Sequence, residues 1–344
     1  QECGGIISFI TASSNLTGPG FLGMRQVIRQ TFDEVWILDL GGDNLGTRKT
    51  PNVSNIQTPV AIAVGVRGST PIPGKSARVH YARIDADDRD AKLARLDVIE
   101  TLANIEWADC PDDWHAPFRP AGTGLYFTWP RLDYLFPWTH SGVQFKRTWP
   151  IGETREVLEK RLSLLIQSEP EKKGELFRET NDREITWKPR DGSLKSIYEL
   201  DPSTADLSVG RYAHRSFDRK FAILDPRVAD RPRPELQNTM SGKQVFFSTM
   251  LTKHLGSGPA LGVSAVVPDL DHFRGSFGGK DTIPLYRDAA ASQPNVTLGL
   301  LDCLSGVLDM PVTVEDLAAY VYAMLGGQSY TTYFWNELET PGPR

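Results

Sequence analysis

Glu34-Val-Trp-Ile-Leu-Asp-Leu-Gly-Gly-Asp-Asn-Leu-Gly46 is the stretch on which the fold reading turns. Its first seven residues form a short apolar run of the kind that makes a buried strand, and the run stops at glycines. Upstream, Gly5-Ile-Ile-Ser-Phe-Ile10 is a similar run, and Phe21–Phe32 carries Met24, Val27, Ile28 and Phe32 at helical spacing. Strand, loop, helix, strand in that order predicts a parallel α/β crossover between the first two strands. Downstream, Pro59-Val-Ala-Ile-Ala-Val-Gly-Val-Arg67 is a third strand. No helix-length segment precedes it, so its pairing with the second is expected to be antiparallel. Arg78–Ile84 adds a further short strand.

The turn Asp39-Leu-Gly-Gly-Asp-Asn-Leu-Gly46 superficially matches the Gly-rich turn that holds a nucleotide or S-adenosylmethionine. Such a turn works because a helix follows, so that backbone N–H groups and the helix dipole face the ligand. Here Arg48-Lys-Thr-Pro-Asn-Val53 follows, with Pro51 and no helical pattern, which favours an ordinary connection between two strands. The competing reading is a small S-adenosylmethionine- or nucleotide-binding α/β enzyme using Asp39–Gly46. Walker, zincin, nucleophile-elbow and paired Cys-x-x-Cys patterns are missing, and the six histidines have no metal-ligand spacing.

The whole chain has 344 residues, 40% hydrophobic, 24% charged and 10% aromatic, which excludes disorder, collagen and coiled coil and suggests two domains or one elaborate one. The net charge of -5 means that any nucleic-acid role must rest on a local basic face. No stretch approaches the ~18 apolar residues of a membrane span. Cys3, Cys110 and Cys303 are too far apart in sequence to read as a disulfide framework or a zinc cluster, and a reducing cytoplasm is the simplest setting. The start at Gln1, close to a strand, and the loop-like Thr340-Pro-Gly-Pro-Arg344 lead us to expect a segment of a longer polypeptide.

Beyond residue 84 the pattern loosens. Asp85–Asn104 reads as an acidic loop and a helix, residues 107–150 as loop-rich packing around five tryptophans, and residues 169–195 as a charged surface excursion. Gly152–Ser168 is predicted helical, with Val157, Leu158, Leu162 and Leu165 on one face. Gly258–Pro268 is strand-like. Thr313 with Asp316 forms a capping box for a helix through Leu325, with Leu317, Tyr320, Val321 and Met324 inward. Arg211-Tyr-Ala-His-Arg-Ser-Phe-Asp-Arg-Lys-Phe221 alternates basic side chains with aromatics, and Arg227, Arg231 and Arg233 follow. Arginines can grip phosphates or read guanine edges, and an aromatic can stack on a base. The plainer alternative is a solvated strand whose arginines pair with Asp218, Asp225 and Asp230.

Several longer motifs resemble the type ISP restriction-modification enzymes, single polypeptides combining a nuclease, a helicase-like ATPase, an adenine methyltransferase and a target-recognition region. Gly4-Gly-Ile-Ile-Ser-Phe-Ile-Thr11, Gly18-Pro-Gly-Phe-Leu-Gly-Met-Arg25, Phe32–Gly42 and Asn52-Val-Ser-Asn-Ile-Gln-Thr-Pro-Val-Ala-Ile62 look like the post-catalytic half of the methyltransferase. Phe136–Trp149, Tyr212-Ala-His-Arg-Ser-Phe-Asp218, Arg231-Pro-Arg-Pro-Glu-Leu236, Val267–Leu270, Pro284-Leu-Tyr-Arg-Asp288 and Asp316–Ala323 look like the C-terminal specificity region. Ser54 stands where family members often carry an aromatic, and Ser216 where proline is frequent.

The resemblance implies an α/β then α+β chain. Residues 1–84 would be the closing part of a Rossmann-like methyltransferase sheet, and residues 85–344 a mixed α+β target-recognition domain binding double-stranded DNA. S-adenosylmethionine, ATP and Mg are implied for the intact enzyme. The Asn-Pro-Pro-Tyr type motif is missing, because the chain has no Pro-Pro pair. This segment is therefore expected neither to methylate DNA alone nor to bind those cofactors, and no catalytic, cofactor or metal residue is assigned. The candidate DNA-binding residues are Arg211, Arg215, Arg219 and Lys220, then Lys146, Arg147, Arg231 and Arg233. Their partners would be the duplex and the nuclease, ATPase and methyltransferase parts of the same polypeptide. Docking onto the motor or another subunit is a further possibility, to be recognised by an exposed apolar patch.

Overall fold

The computed structural model describes residues 4–46, 48–68, 74–204, 206–273 and 281–344. Contacts divide the chain into two compact units, Gln1–Leu125 and Tyr126–Arg344.

The first unit is built on one sheet. Strand β1 (Gly5–Ala12) leads through the short α1 (Ser14–Thr17) and α2 (Leu22–Thr31) to β2 (Glu34–Gly41); then follow β3 (Val60–Arg67), β4 (Arg78–Arg83), α3 (Arg89–Asp97) and the two-residue β5 (Ala108–Asp109). The strand order is β1-β3-β2-β4-β5. β2 and β3 are antiparallel, as expected. The expected parallel crossover from β1 through α2 to β2 is present, with a third strand inserted in it. β1 and β2 run in the same direction, but both pair antiparallel with β3, which slots between them. β4 then joins the other edge of β2 in parallel.

Both faces of this sheet are covered around β2, β3 and β4. Val35 and Ile37 pack on one side with Leu16, Val79 and Phe118; Leu38 and Leu40 pack on the other with Leu96, Ile99, Ile105 and Trp107. Because the second set and Phe118 come from residues 85–125, this stretch folds with the first unit, and the contacts divide well beyond the expected boundary at residue 84. On α2 the buried residues are Arg25 and Arg29, whose guanidiniums donate to the carbonyls of Asn15 and Gly18 and of Ala77 and Pro111. Ile28 and Phe32 pack inward as expected, whereas Met24 and Val27 are exposed. β1 also exposes Ile6, Ile7 and Ile10, and its other edge has no partner strand among the described residues.

The second unit contains α4 (Leu132–Leu135), β6 (His140–Ser141), β7 (Ile151–Gly152), α5 (Arg155–Gln167), α6 (Pro170–Phe177), β8 (Val209–Arg215), β9 (Asp218–Ile223), α7 (Pro234–Gln237), β10 (Phe246–Thr249), β11 (Gly262–Ser264), β12 (Asp281–Pro284), α8 (Leu300–Leu308), α9 (Val314–Leu325) and α10 (Gln328–Tyr333). It holds two antiparallel sheets, β11-β10-β12-β6 and β7-β9-β8. Helix α5 starts at a Thr154 N-cap and buries Leu158, Leu162 and Leu165, while Val157 faces solvent. The 169–195 stretch is more than a surface excursion, because α6 drives Phe177 into the core beside Trp149. The Thr313/Asp316 capping box forms as read, and Leu317 and Val321 are buried. Tyr320 and Met324 instead point outward, because the core face of α9 is the narrower stripe Val314, Leu317, Ala318, Val321 and Leu325. Among the described residues no helix is long and apolar enough to cross a membrane.

Candidate nucleic-acid interface

Arg211, Arg215, Arg219 and Lys220 all lie on one hairpin, made by β8 and β9 with Ser216 and Phe217 as its turn. Two-residue hairpin turns usually need glycine or asparagine at positive φ. Neither turn residue adopts it here, and a register shift between Ala213 and Arg215 accommodates the chain instead. Side chains then brace the turn. The Arg219 Nη1 donates to the carbonyls of Arg215 at 2.8 Å and Ser216 at 3.1 Å, and the Ser216 Oγ donates to the His272 carbonyl at 2.8 Å.

The aromatics of this stretch differ in placement, with Tyr212 fully buried and Phe221 packed against a core cluster. Phe217 sits at the tip with 103% relative exposure. Phe221 shares a face with Arg211, whose guanidinium lies 5.4 Å from its ring centre. Arg211 itself is exposed and has no carboxylate partner among the described residues. Arg215 is tied down: its Nη1 lies 2.8 Å from Asp269 Oδ1, and the Tyr212 hydroxyl donates to the other oxygen of that carboxylate. Burial raises the Asp269 pKa, against the pull of Tyr212, the Asp271 amide and Arg215. Lys220 Nζ pairs with Glu153 at 2.6 Å and lies 3.6 Å from Asp218.

The second group gathers around Asp230. The Arg147 Nη1 lies 3.0 Å from Asp230 Oδ2 and its guanidinium 4.5 Å from the Phe177 ring, with both charged partners buried. Lys146 pairs with Asp182. Arg231 exchanges backbone hydrogen bonds with Gln144, and its side chain is exposed. Arg233 donates to the carbonyl and hydroxyl of Ser141. Of the eight candidates, four are thus engaged by carboxylates, two by neutral acceptors, and Arg211 and Arg231 extend into solvent. The plainer pairing reading was right for Asp225, which with Asp206 holds buried Arg227, whereas Asp230 is taken by Arg147 from outside that stretch.

What residue-type reasoning missed is the cleft beside the hairpin tip. An open cleft of about 380 Å³ is lined by Phe217, Pro259, Val263, His272, Phe273 and Tyr322 among others. His272 is 2% exposed; its Nδ1 lies 3.2 Å from Ser248 Oγ, and its Nε2 has no partner among the described residues. Burial, helped by the nearby Arg219 and Arg215 charges, pushes its pKa down to about 4, so the ring is neutral at pH 7. The signal was the Phe217 turn position, which no hydrophobic pattern distinguishes from a buried aromatic.

A different face of this unit is apolar. Leu298, Val307, Leu308, Met310 and Tyr320 are exposed, and a groove of about 480 Å³ runs between α8 and α9. Residues 288–343 contain seven Asp or Glu and no Lys or Arg.

In the first unit, the Asp39–Gly46 turn is closed by side chains of its own and its neighbouring residues. Its amides are used internally: Gly41 N–H donates to Asp39, Gly42 and Asp43 to the Thr50 hydroxyl, and Leu45 and Gly46 to Asp43. Gly41 and Gly42 have φ of 60° and 96°, and a Cβ on Gly42 would meet Asn52 at 2.5 Å. Burial alone would raise the Asp39 carboxyl pKa, but Arg119, the Gly41 amide and the Tyr81 hydroxyl hold it below the ordinary range. Lys92, also buried, spans from the Leu40 carbonyl to that of Pro51.

The fold is similar to three solved structures. The ATP-dependent Type ISP restriction-modification enzyme LlaBIII bound to DNA matches with a TM-score of 0.67 and 20% identity, over 99% of this chain and 24% of that one. The DrdV–DNA complex matches with a TM-score of 0.64 and 18% identity, over 99% of this chain and 36% of that one. A nuclease-deletion mutant of the Type ISP enzyme LlaGI, in complex with a DNA substrate mimic, matches with a TM-score of 0.62 and 18% identity, over 99% and 28%. The chain thus spans between 24% and 36% of the length of these proteins. No curated protein matches it. Residues 134–344 match the Type ISP C-terminal specificity domain, and the chain belongs to that family.

Proposed function

We propose that residues 126–344 recognise a short sequence in double-stranded DNA on behalf of a larger restriction-modification polypeptide in a bacterial cytoplasm. The observation that carries this reading is the β8–β9 hairpin, which holds Arg211 and Phe217 out to solvent on a turn braced by Arg219 and Ser216. A rigid projection carrying a cation and an aromatic can enter a groove without paying to order itself. The paired arginines act differently, by holding the hairpin in place. The test is selection of duplexes from a random library by the 344-residue chain. A consensus should emerge, and Arg211→Ala should weaken its binding. Recovery of unselected sequence would overturn the reading.

Residues 1–84 are read as the closing part of a Rossmann-like methyltransferase sheet. The reversed β3 between two parallel strands supports this, as does the apolar exposure of Ile6, Ile7 and Ile10 on an unpaired edge. S-adenosylmethionine would be held by other parts of that domain, since the Asp39–Gly46 amides are already engaged, and ATP and Mg by the motor. One observation favours a second role for residues 126–344: the α8–α9 face is apolar and acidic, so it would repel phosphate and suit contact with another protein part of the polypeptide.

A further inference from the structure

Gln144 and Arg231 meet side by side outside the named strands. Each donates its backbone amide to the other's carbonyl at 3.1 Å, so they form one antiparallel hydrogen-bonded pair. The side chains of such a pair leave the same face about 5 Å apart. Alternation along the chain decides which face that is. Val143 is fully buried, Phe145 packs against the same core cluster, and Asp230, just before Arg231, is buried too. Gln144 and Arg231 therefore point outward, and neither side chain has a hydrogen bond or an ion pair among the described residues. Asp182, which senses the Arg231 charge, is already held by Lys146.

The pair has a firm support. Val143 donates its amide to the Pro268 carbonyl, and its own carbonyl accepts the Leu270 amide. The same segment bonds onward to β8, where the Ala213 amide meets the Val267 carbonyl and the Ala213 carbonyl meets the Asp269 amide. Gln144 and Arg231 thus belong to the array of extended segments that carries the β8–β9 hairpin, with Arg231 three inter-strand steps, or ~14 Å, from β8. That span is well within one turn of a duplex, which is roughly 34 Å.

The chemistry of the partner follows from the two side chains. The Gln144 amide carries a donor and an acceptor and no charge. Adenine is the base whose major-groove edge offers the matching acceptor and donor, N7 and N6, whereas guanine offers two acceptors. A phosphate would use the amide's donor and leave its oxygen against an anion. Arg231 has donors alone and a full charge, which suits the phosphate beside that base.

We propose that Gln144 reads the major-groove edge of one adenine in the bound site, with Arg231 holding the neighbouring phosphate. This rests on the reading that residues 126–344 recognise duplex DNA.

The test uses the 344-residue chain and the duplex it selects from a random library. Gln144→Ala should bind that duplex about tenfold more weakly and become indifferent at one A·T position. Gln144→Glu should move the preference there from A towards C, whose N4 amino group donates to a carboxylate. Placing 7-deazaadenine at that position removes the N7 acceptor; it should weaken binding of the unaltered chain by about tenfold and leave Gln144→Ala unaffected. Because the analogue alters only the DNA, this arm holds even where a substitution disturbs folding. A selected site with no A·T pair overturns the assignment, as does an analogue bound as tightly as adenine at every position. So does Gln144→Ala with its site preference intact, whether its affinity is unchanged or uniformly lower, the latter making Gln144 a backbone contact. Each of these leaves DNA recognition standing, whereas failure of the unaltered chain to select any duplex overturns both.

Discussion

The Arg215 guanidinium lies 2.8 Å from the Asp269 carboxylate, which also accepts the hydroxyl of fully buried Tyr212. Residues 268–270 sit between β8 and the segment around Val143: the Asp269 amide donates to the Ala213 carbonyl and the Leu270 amide to that of Val143. Arg215 therefore neutralises a carboxylate at the seam that fixes the hairpin. Arg215→Ala should cost about 1–3 kcal/mol of stability by leaving Asp269 unpaired, with half-exposure of the arginine keeping the loss at the lower end. Adding Asp269→Asn should recover part of it. Urea denaturation of the two variants checks this; an unchanged midpoint in Arg215→Ala would contradict the assignment.

Arg147 offers a stronger contrast. Its partner Asp230 is buried, and Lys146 N–H and Thr180 also bond that carboxylate. Arg147→Ala should destabilise the second unit by about 3–5 kcal/mol, and the loss should appear with or without DNA. Thermal melts in both conditions measure it. Normal stability combined with weakened DNA binding would instead make Arg147 a phosphate contact.

Arg211 and Arg231 are the two candidates that extend into solvent with no carboxylate partner among the described residues. If they neutralise phosphates, Arg211→Ala and Arg231→Ala should each lower the slope of log affinity against log salt by about one, with stability unchanged. Anisotropy titrations over a range of salt concentrations provide the slopes. Parallel lines for variant and unaltered protein would remove the residue concerned from the interface.

His272 sets a pH dependence. Its pKa of about 4 in the folded chain lies below the ordinary ~6.5 of the unfolded one. Between those values the unfolded chain binds a proton that the folded chain refuses, so this contribution is complete above pH ~6.5 and is lost as pH falls towards 4. The loss should reach about 2–3 kcal/mol, and it should disappear from the difference between unaltered protein and His272→Asn. Denaturant titrations at pH 7, 5.5 and 4 would reveal it; equal slopes for both proteins would refute it.

The exposed α8–α9 face predicts behaviour independent of DNA. Leu308→Asp with Tyr320→Asp should leave duplex affinity unchanged while reducing self-association of the 344-residue chain in sedimentation velocity. A fall in duplex affinity would mean that this face, despite its acidic residues, contributes to the interface.

Local signals were read well because they act over a few residues. The β2 and β3 strands, the Leu158/Leu162/Leu165 stripe and the Thr313/Asp316 box each depend on spacings of one turn or one strand. The failed readings share a cause. Val157, Tyr320 and Met324 sit at the margins of apolar stripes, where periodicity does not say how wide the neighbouring core is. Order along the chain carried the parallel sense of β1 and β2, but not that β3, which lies later in the chain, separates them.

By itself the sequence determined the succession of elements, the family motifs and the absence of a helix after the Asp39–Gly46 turn, all consequences of short-range geometry and order along the chain. Only the tertiary structure decided which cations are free. Arg147 finds Asp230 across 83 positions, Lys220 finds Glu153 across 67 and Arg215 finds Asp269 across 54. Ion pairing depends on distance in space, and a charge pattern read along the chain carries no measure of it. The same holds for Phe217, whose exposure comes from a turn that the rest of the unit holds in place.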